Sequence, residues 1–175
     1  MLNRILKIGL ALFIALFCLF YATQNLFNLQ SAHWFVSSTL AMEGHELYPG
    51  HFGPAINSPV LAWVALWVII ALEYLAGVLA IKGAWGLWQS RKEPSEVFQE
   101  NKKYVMASAG VALCIWFGLF SAIGGAYFQM WQTEAGTGAL QGSFWYFAGV
   151  ALVALFINQE DPLYGAAGDP PPPVG

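Results

Sequence analysis

The sequence predicts an all-α membrane protein, with four transmembrane helices in a compact antiparallel bundle and both termini cytoplasmic. Three observations carry this prediction. Of the 175 residues, 58% are apolar and 10% charged, against about 25% charged in a soluble domain. Four stretches, 5–24, 60–81, 104–128 and 139–157, approach the roughly 20 apolar residues that a spanning helix needs. Threading these stretches puts all seven basic residues, Arg4, Lys7, Lys82, Arg91, Lys92, Lys102 and Lys103, on one side. The positive-inside rule makes that side the cytoplasm. One domain, 1–160, holds all four spans.

The first stretch begins like a signal peptide, because Arg4 and Lys7 precede an apolar run. It lacks a cleavage site, since Phe20, Tyr21 and Ala22 offer aromatics where small residues are required. It is therefore read as a retained span. Cys18 and Cys114 then lie within the membrane as small apolar packing residues, with no cysteine in a loop for a structural disulfide.

The loop that follows is basic-free and external. Its apolar part, Trp34 to Met42, predicts a short helix on the membrane surface, and Pro49, Gly50, Gly53, Pro54 and Pro59 make irregular chain beyond it. His33, His45 and His51 all fall in this loop with Glu43 and Glu46. Imidazole and carboxylate suit zinc or copper, but the spacing matches no metal motif, and solvated loop histidines are the simpler reading. The spans contain no histidine, which disfavours a bis-histidine haem site. No cofactor is expected.

The second stretch contains the acid that breaks the apolar pattern, Glu73, about three residues from the span's midpoint. A charge at that depth costs on the order of 3 kcal/mol, so Glu73 must be hidden or neutralised. It is expected to face the bundle beside Ala76 and Ala80, with Ser108, Cys114 and the Trp116 indole of the third span at compatible depths for a hydrogen bond. Glu73, Ser108 and Trp116 form the candidate polar site. Glu73 is either a protonated tie between helices or a group that exchanges protons or binds a cationic or polar solute.

Aromatic residues support the threading, since Trp and Tyr gather at the membrane boundary. Trp85, Trp88 and Tyr104 mark the inner boundary, and Tyr21, Trp63, Tyr127, Trp131 and Trp145 the outer one. Trp67 and Trp116 lie deeper and are expected inside the bundle. Helices in lipid associate through small residues that permit close packing. Stripes of this kind run through Ala76, Ala80 and Ala84 with Gly77, through Gly118, Ala122 and Ala126, and through Ala148, Ala151 and Ala154. The tail 161–175 contains four consecutive prolines from Pro170 and is expected to be a disordered cytoplasmic extension.

Several of these segments carry a resemblance. The chain resembles a bacterial family of predicted small integral membrane proteins, a four-span domain of unknown function. The matching pieces are Asn25 after the first span, Phe35 and Val36 through Met42, and the run from Glu73 to Gly77. Gly86, Leu87 and Trp88, then Trp116 and Phe117, and the run from Gly125 to Gln132 also match. The block Gln129, Met130, Trp131, Gln132 is the most specific. Family members often carry an Asn-Gly-Gln-like turn before the fourth span, where this chain has Thr137 to Gly142. The resemblance implies the topology and a bacterial cytoplasmic (inner) membrane location, and lends no activity.

No nucleophile with its base, phosphate loop or intramembrane metal set appears, so no enzymatic reaction is expected. The function expected first is that of a non-enzymatic accessory or scaffold protein of a membrane assembly, and the alternative is a small oligomeric proton-coupled transporter using Glu73. The bilayer is one partner, a second copy or another membrane protein is the expected other, and nothing points to nucleic acid.

Overall fold

The computed structural model describes residues 1–161; the proline-rich stretch of the tail, 162–175, lies outside them. The described residues are all-helical, and four helices are long and apolar enough to cross a membrane. Helix α1 (Leu2–Phe27) meets α2 (Leu29–Leu40) at a break on Asn28, whose amide nitrogens both bond the Gln24 carbonyl. After an irregular loop comes α3 (Pro59–Gln89), about 46 Å long at 1.5 Å per residue. Its start follows local chemistry. The Ser58 hydroxyl accepts from the Leu61 amide at 3.4 Å, and Pro59 takes the first position, where no amide donor is needed. Short α4 (Ser95–Glu100) leads into α5 (Lys103–Leu113), which continues as a π-helical segment, Cys114–Tyr127. A turn of 3₁₀ helix, Met130–Gln132, precedes α6 (Glu134–Asn158), capped by Thr133 through the Gly136 amide at 3.0 Å.

The core forms where small residues let backbones approach. Helix α1 packs most extensively on α3, and α5 packs on the other flank of α3. Ala76, Ala80 and Ala84 are buried with Gly77, as the second stripe requires. A Cβ at Gly83 would sit 2.7 Å from the Val105 backbone nitrogen, so no side chain fits between α3 and α5 there. Ala11, Ala15, Cys18 and Ala22 present the matching face of α1.

The third-span stripe is different. Ala122 and Ala126 face outward, and Gly124 and Gly125 are buried instead. The segment shows five-residue hydrogen bonding, as from Phe128 N–H to the Ile123 carbonyl at 2.9 Å, and its inward face runs through Trp116, Phe120 and Gly124, two residues out of step with the expected stripe. Cys114 likewise points out of the bundle rather than packing inside it. Trp67, expected inside, is 48% exposed, because the buried face of α3 runs through Ala62, Leu66, Ile70 and Glu73. The apolar stretch from Trp34 is not a separate surface helix. It belongs to α2, which starts at Leu29 and leans on α3.

At the end of the bundle carrying the basic residues, three cations are buried: Arg4, Lys7 and Lys102. Arg4 donates to the carbonyls of Arg91 (3.1 Å) and Glu93 (2.6 Å) and lies over the Phe98 ring. Lys7 and Lys102 both reach the Asp161 carboxylate, at 3.1 and 2.9 Å. Ser95 donates to the Asp161 carbonyl at 2.6 Å, joining α4 to the end of the fourth span. Asp161, assigned by the sequence to the tail, is therefore packed into the bundle.

Candidate functional site

Glu73 is the fifteenth residue of α3 and is 2% exposed. Its Oε2 accepts from Asn25 Nδ2 at 3.0 Å, and Oε1 has no donor among the described residues. The partner comes from the last turn of α1, not from the third span. Ser108 instead donates to the Ala76 carbonyl at 2.7 Å, a buried tie between α5 and α3. Of the three candidate residues, the fold brings Glu73 and Trp116 to one cavity and leaves Ser108 on its own bond.

That cavity has a volume of about 440 Å³ and lies toward the end of the bundle away from the basic residues. Its lining is mostly apolar, with polar groups from Tyr21, Gln24, Asn25 and Asn28 of α1 and the α1–α2 break, Ser31 of α2, and Ser143 and Tyr146 of α6. No lysine, arginine or histidine is among its lining residues. The Asn28 break permits this arrangement, because it turns the chain so that α1 and α2 together wall one side.

One wall is aromatic. Tyr21, Trp116 and Tyr146 form it, with Phe17 packed behind them, and the four rings meet edge to face or tilted with centroids 4.8 to 6.1 Å apart, the geometry that ring quadrupoles favour. The Tyr21 hydroxyl donates to that of Tyr146. Tyr21 therefore turns its ring into the bundle, against Tyr146, rather than outward. The sequence offered a signal for Asn25, an amide at the end of an apolar run, but none for the Tyr21–Tyr146 pair, which joins residues 125 positions apart.

The three histidines occupy three different surroundings. His33 stacks on Trp63 with centroids 4.0 Å apart, its Nε2 3.4 Å from the Pro59 carbonyl. His51 pairs with the Gly53 carbonyl. His45 lies among Trp34, Glu43 and Thr133, and burial, then the nearby His51 charge, hold its imidazole below the usual range. Among the described residues no three histidine, cysteine or carboxylate side chains come together in a way that could hold a metal ion.

The block Gln129 to Gln132 closes the third span. Gln129 adopts a left-handed conformation (φ 51°), Met130 is buried, and Gln132 exchanges hydrogen bonds with the Tyr48 backbone at 2.8 and 3.4 Å. These contacts pin the irregular loop beside the cavity end of the bundle.

Four apolar helices, a core of small residues and a cavity between the spans that holds a buried acid define an integral membrane helix bundle. The chain belongs to the family described as predicted small integral membrane protein (DUF2165), whose model matches residues 3–160. No curated protein and no solved structure matches it.

Proposed function

We propose that the protein binds a small cationic solute in the Glu73 cavity and moves it across the bacterial cytoplasmic membrane in exchange for protons. The carrying observation is a carboxyl group buried in a largely apolar cavity whose lining includes amides and hydroxyls but no cation. Burying a carboxylate is costly, and beyond the single Asn25 hydrogen bond a proton or a cation offsets the cost. Alternation between these two occupants is the elementary step of exchange. Trp116 and Tyr146 add ring faces that attract a cation. The seven basic residues at one end support a cytoplasmic placement of both the N-terminus and the end of the fourth span.

The test is flux in liposomes containing purified protein, with an alkylammonium ion as solute and an internal pH dye. Solute entry coupled to proton movement is expected for the wild type and is absent in Glu73→Gln. Equal flux in both would refute the reading. The alternative is a non-catalytic accessory role in a membrane assembly, favoured by Phe27, Trp34, Tyr48 and Phe52, which are large and exposed near the loop. Glu73-dependent flux from purified protein alone would remove it.

A further inference from the structure

We infer that the solute is an ammonium amphiphile, with its cationic head at Glu73 and a single alkyl chain in a second, apolar compartment. The inference rests on the cation-binding reading and specifies its ligand. The second cavity has a volume of about 190 Å³ and lies between α2, α3 and the π-helical segment. Leu40, Ala65, Val68, Leu119, Ile123 and Phe128 line it, and no ionisable group does. Phe35, Val36, Ile69 and Phe120 line both cavities, so the two compartments abut across these four side chains.

The chemistry of the pair selects the occupant. A hydrated metal ion or a small polar cation uses only the acidic compartment. An anionic or zwitterionic lipid brings negative charge toward Glu73, where no basic side chain receives it. A monovalent amine with a straight apolar tail satisfies both compartments at once. Location supports the same occupant, since α2 is the short helix that leans on α3 and the apolar compartment lies beneath it. Val68 and Ile123 are also about half exposed on the outside of the bundle. A chain already dissolved in the bilayer can thus reach the compartment sideways, without crossing water.

The test uses the full-length protein in nanodiscs with two probes. Butylammonium reports the head site alone. A long-chain primary amine with a terminal diazirine reports where the tail lies, through photolabelled positions found by mass spectrometry. Adducts are expected on Ala65, Leu119 and Ile123. They should fall at least fivefold in Glu73→Gln and in the presence of excess butylammonium. Ala65→Phe, which fills only the apolar compartment, should lower labelling at Leu119 and Ile123 while butylammonium binding persists, and that binding also shows that the variant is folded. If butylammonium binds in a Glu73-dependent way but the adducts are the same in Glu73→Gln, the tail site is overturned and the cation reading stands. If butylammonium does not bind at all, both fall.

Discussion

Asn25 and Asp161 show how single residues manage charge inside this bundle. Asn25 gives Glu73 its hydrogen bond at 3.0 Å, and bonds to charged groups contribute about 1.5 to 3 kcal/mol. Asn25→Leu should therefore weaken butylammonium binding by about tenfold or more, measured by calorimetry in nanodiscs. Unchanged affinity would show that Asn25 does not orient the carboxylate. At the other end, Asp161 is shared by two buried lysines. Burial alone raises its carboxyl, but the hydrogen bonds and charges of Lys102 and Lys7 outweigh that and hold it below its ordinary 3.8. Asn3 and Ser95 complete its surroundings through neutral bonds. Because the folded carboxyl is depressed, its stabilisation is fully present above about pH 4 and is lost as pH falls through the folded value. Asp161→Asn should destabilise the bundle by roughly 3 to 5 kcal/mol at neutral pH, since it leaves Lys7 and Lys102 without their carboxylate. In thermal unfolding in detergent, the gap from wild type should shrink as pH drops below 4. A gap that is constant with pH would count against the ion cluster.

At the scale of elements, two contacts set the shape. Gly83 lets α3 and α5 touch backbone to backbone, and a Cβ there meets the Val105 nitrogen at 2.7 Å. Gly83→Val should lower unfolding stability by about 1 to 3 kcal/mol, as overpacking does. Gly110→Ala, whose Cβ meets nothing within 4 Å, should leave stability unchanged or slightly higher. The sign of the difference between these two variants in a thermal unfolding assay checks the packing of α3 on α5. The π-helical segment is the second determinant. Trp116, Phe120 and Gly124 of this segment line the two cavities, so both depend on how it seats. The four-residue spacing of Gly118, Ala122 and Ala126 carried no sign of it, because hydrogen-bond register is set by how the whole helix seats against α3 and α6.

For the molecule as a whole, the threading makes a direct prediction. Single cysteines placed at Lys92, in the turn after α3, and at Glu134, at the start of α6, should react with a membrane-impermeant maleimide from opposite faces of sealed cells, Glu134 from outside. Reaction of both from one face would break the four-span arrangement. The residue content made much of this visible in advance: span positions, the basic end, the inward stripe of α3 and the buried acid all follow from the cost of polar groups in lipid. The join of α1 to α2, the outward turn of Trp67 and Cys114, and the inward placement of Tyr21 did not follow. Each depends on which face of a helix meets a neighbour, and lipid and protein interior are nearly equally apolar, so hydropathy cannot separate them.

The sequence by itself thus determined that the chain crosses a membrane, where it crosses, and that Glu73 is the exceptional charge, because transfer into hydrocarbon depends on local composition alone. Only the tertiary structure decided what Glu73 faces. Asn25, Tyr21, Trp116 and Tyr146 come from three different helices, and the cavity between them exists only once those helices pack, so no local pattern encodes it.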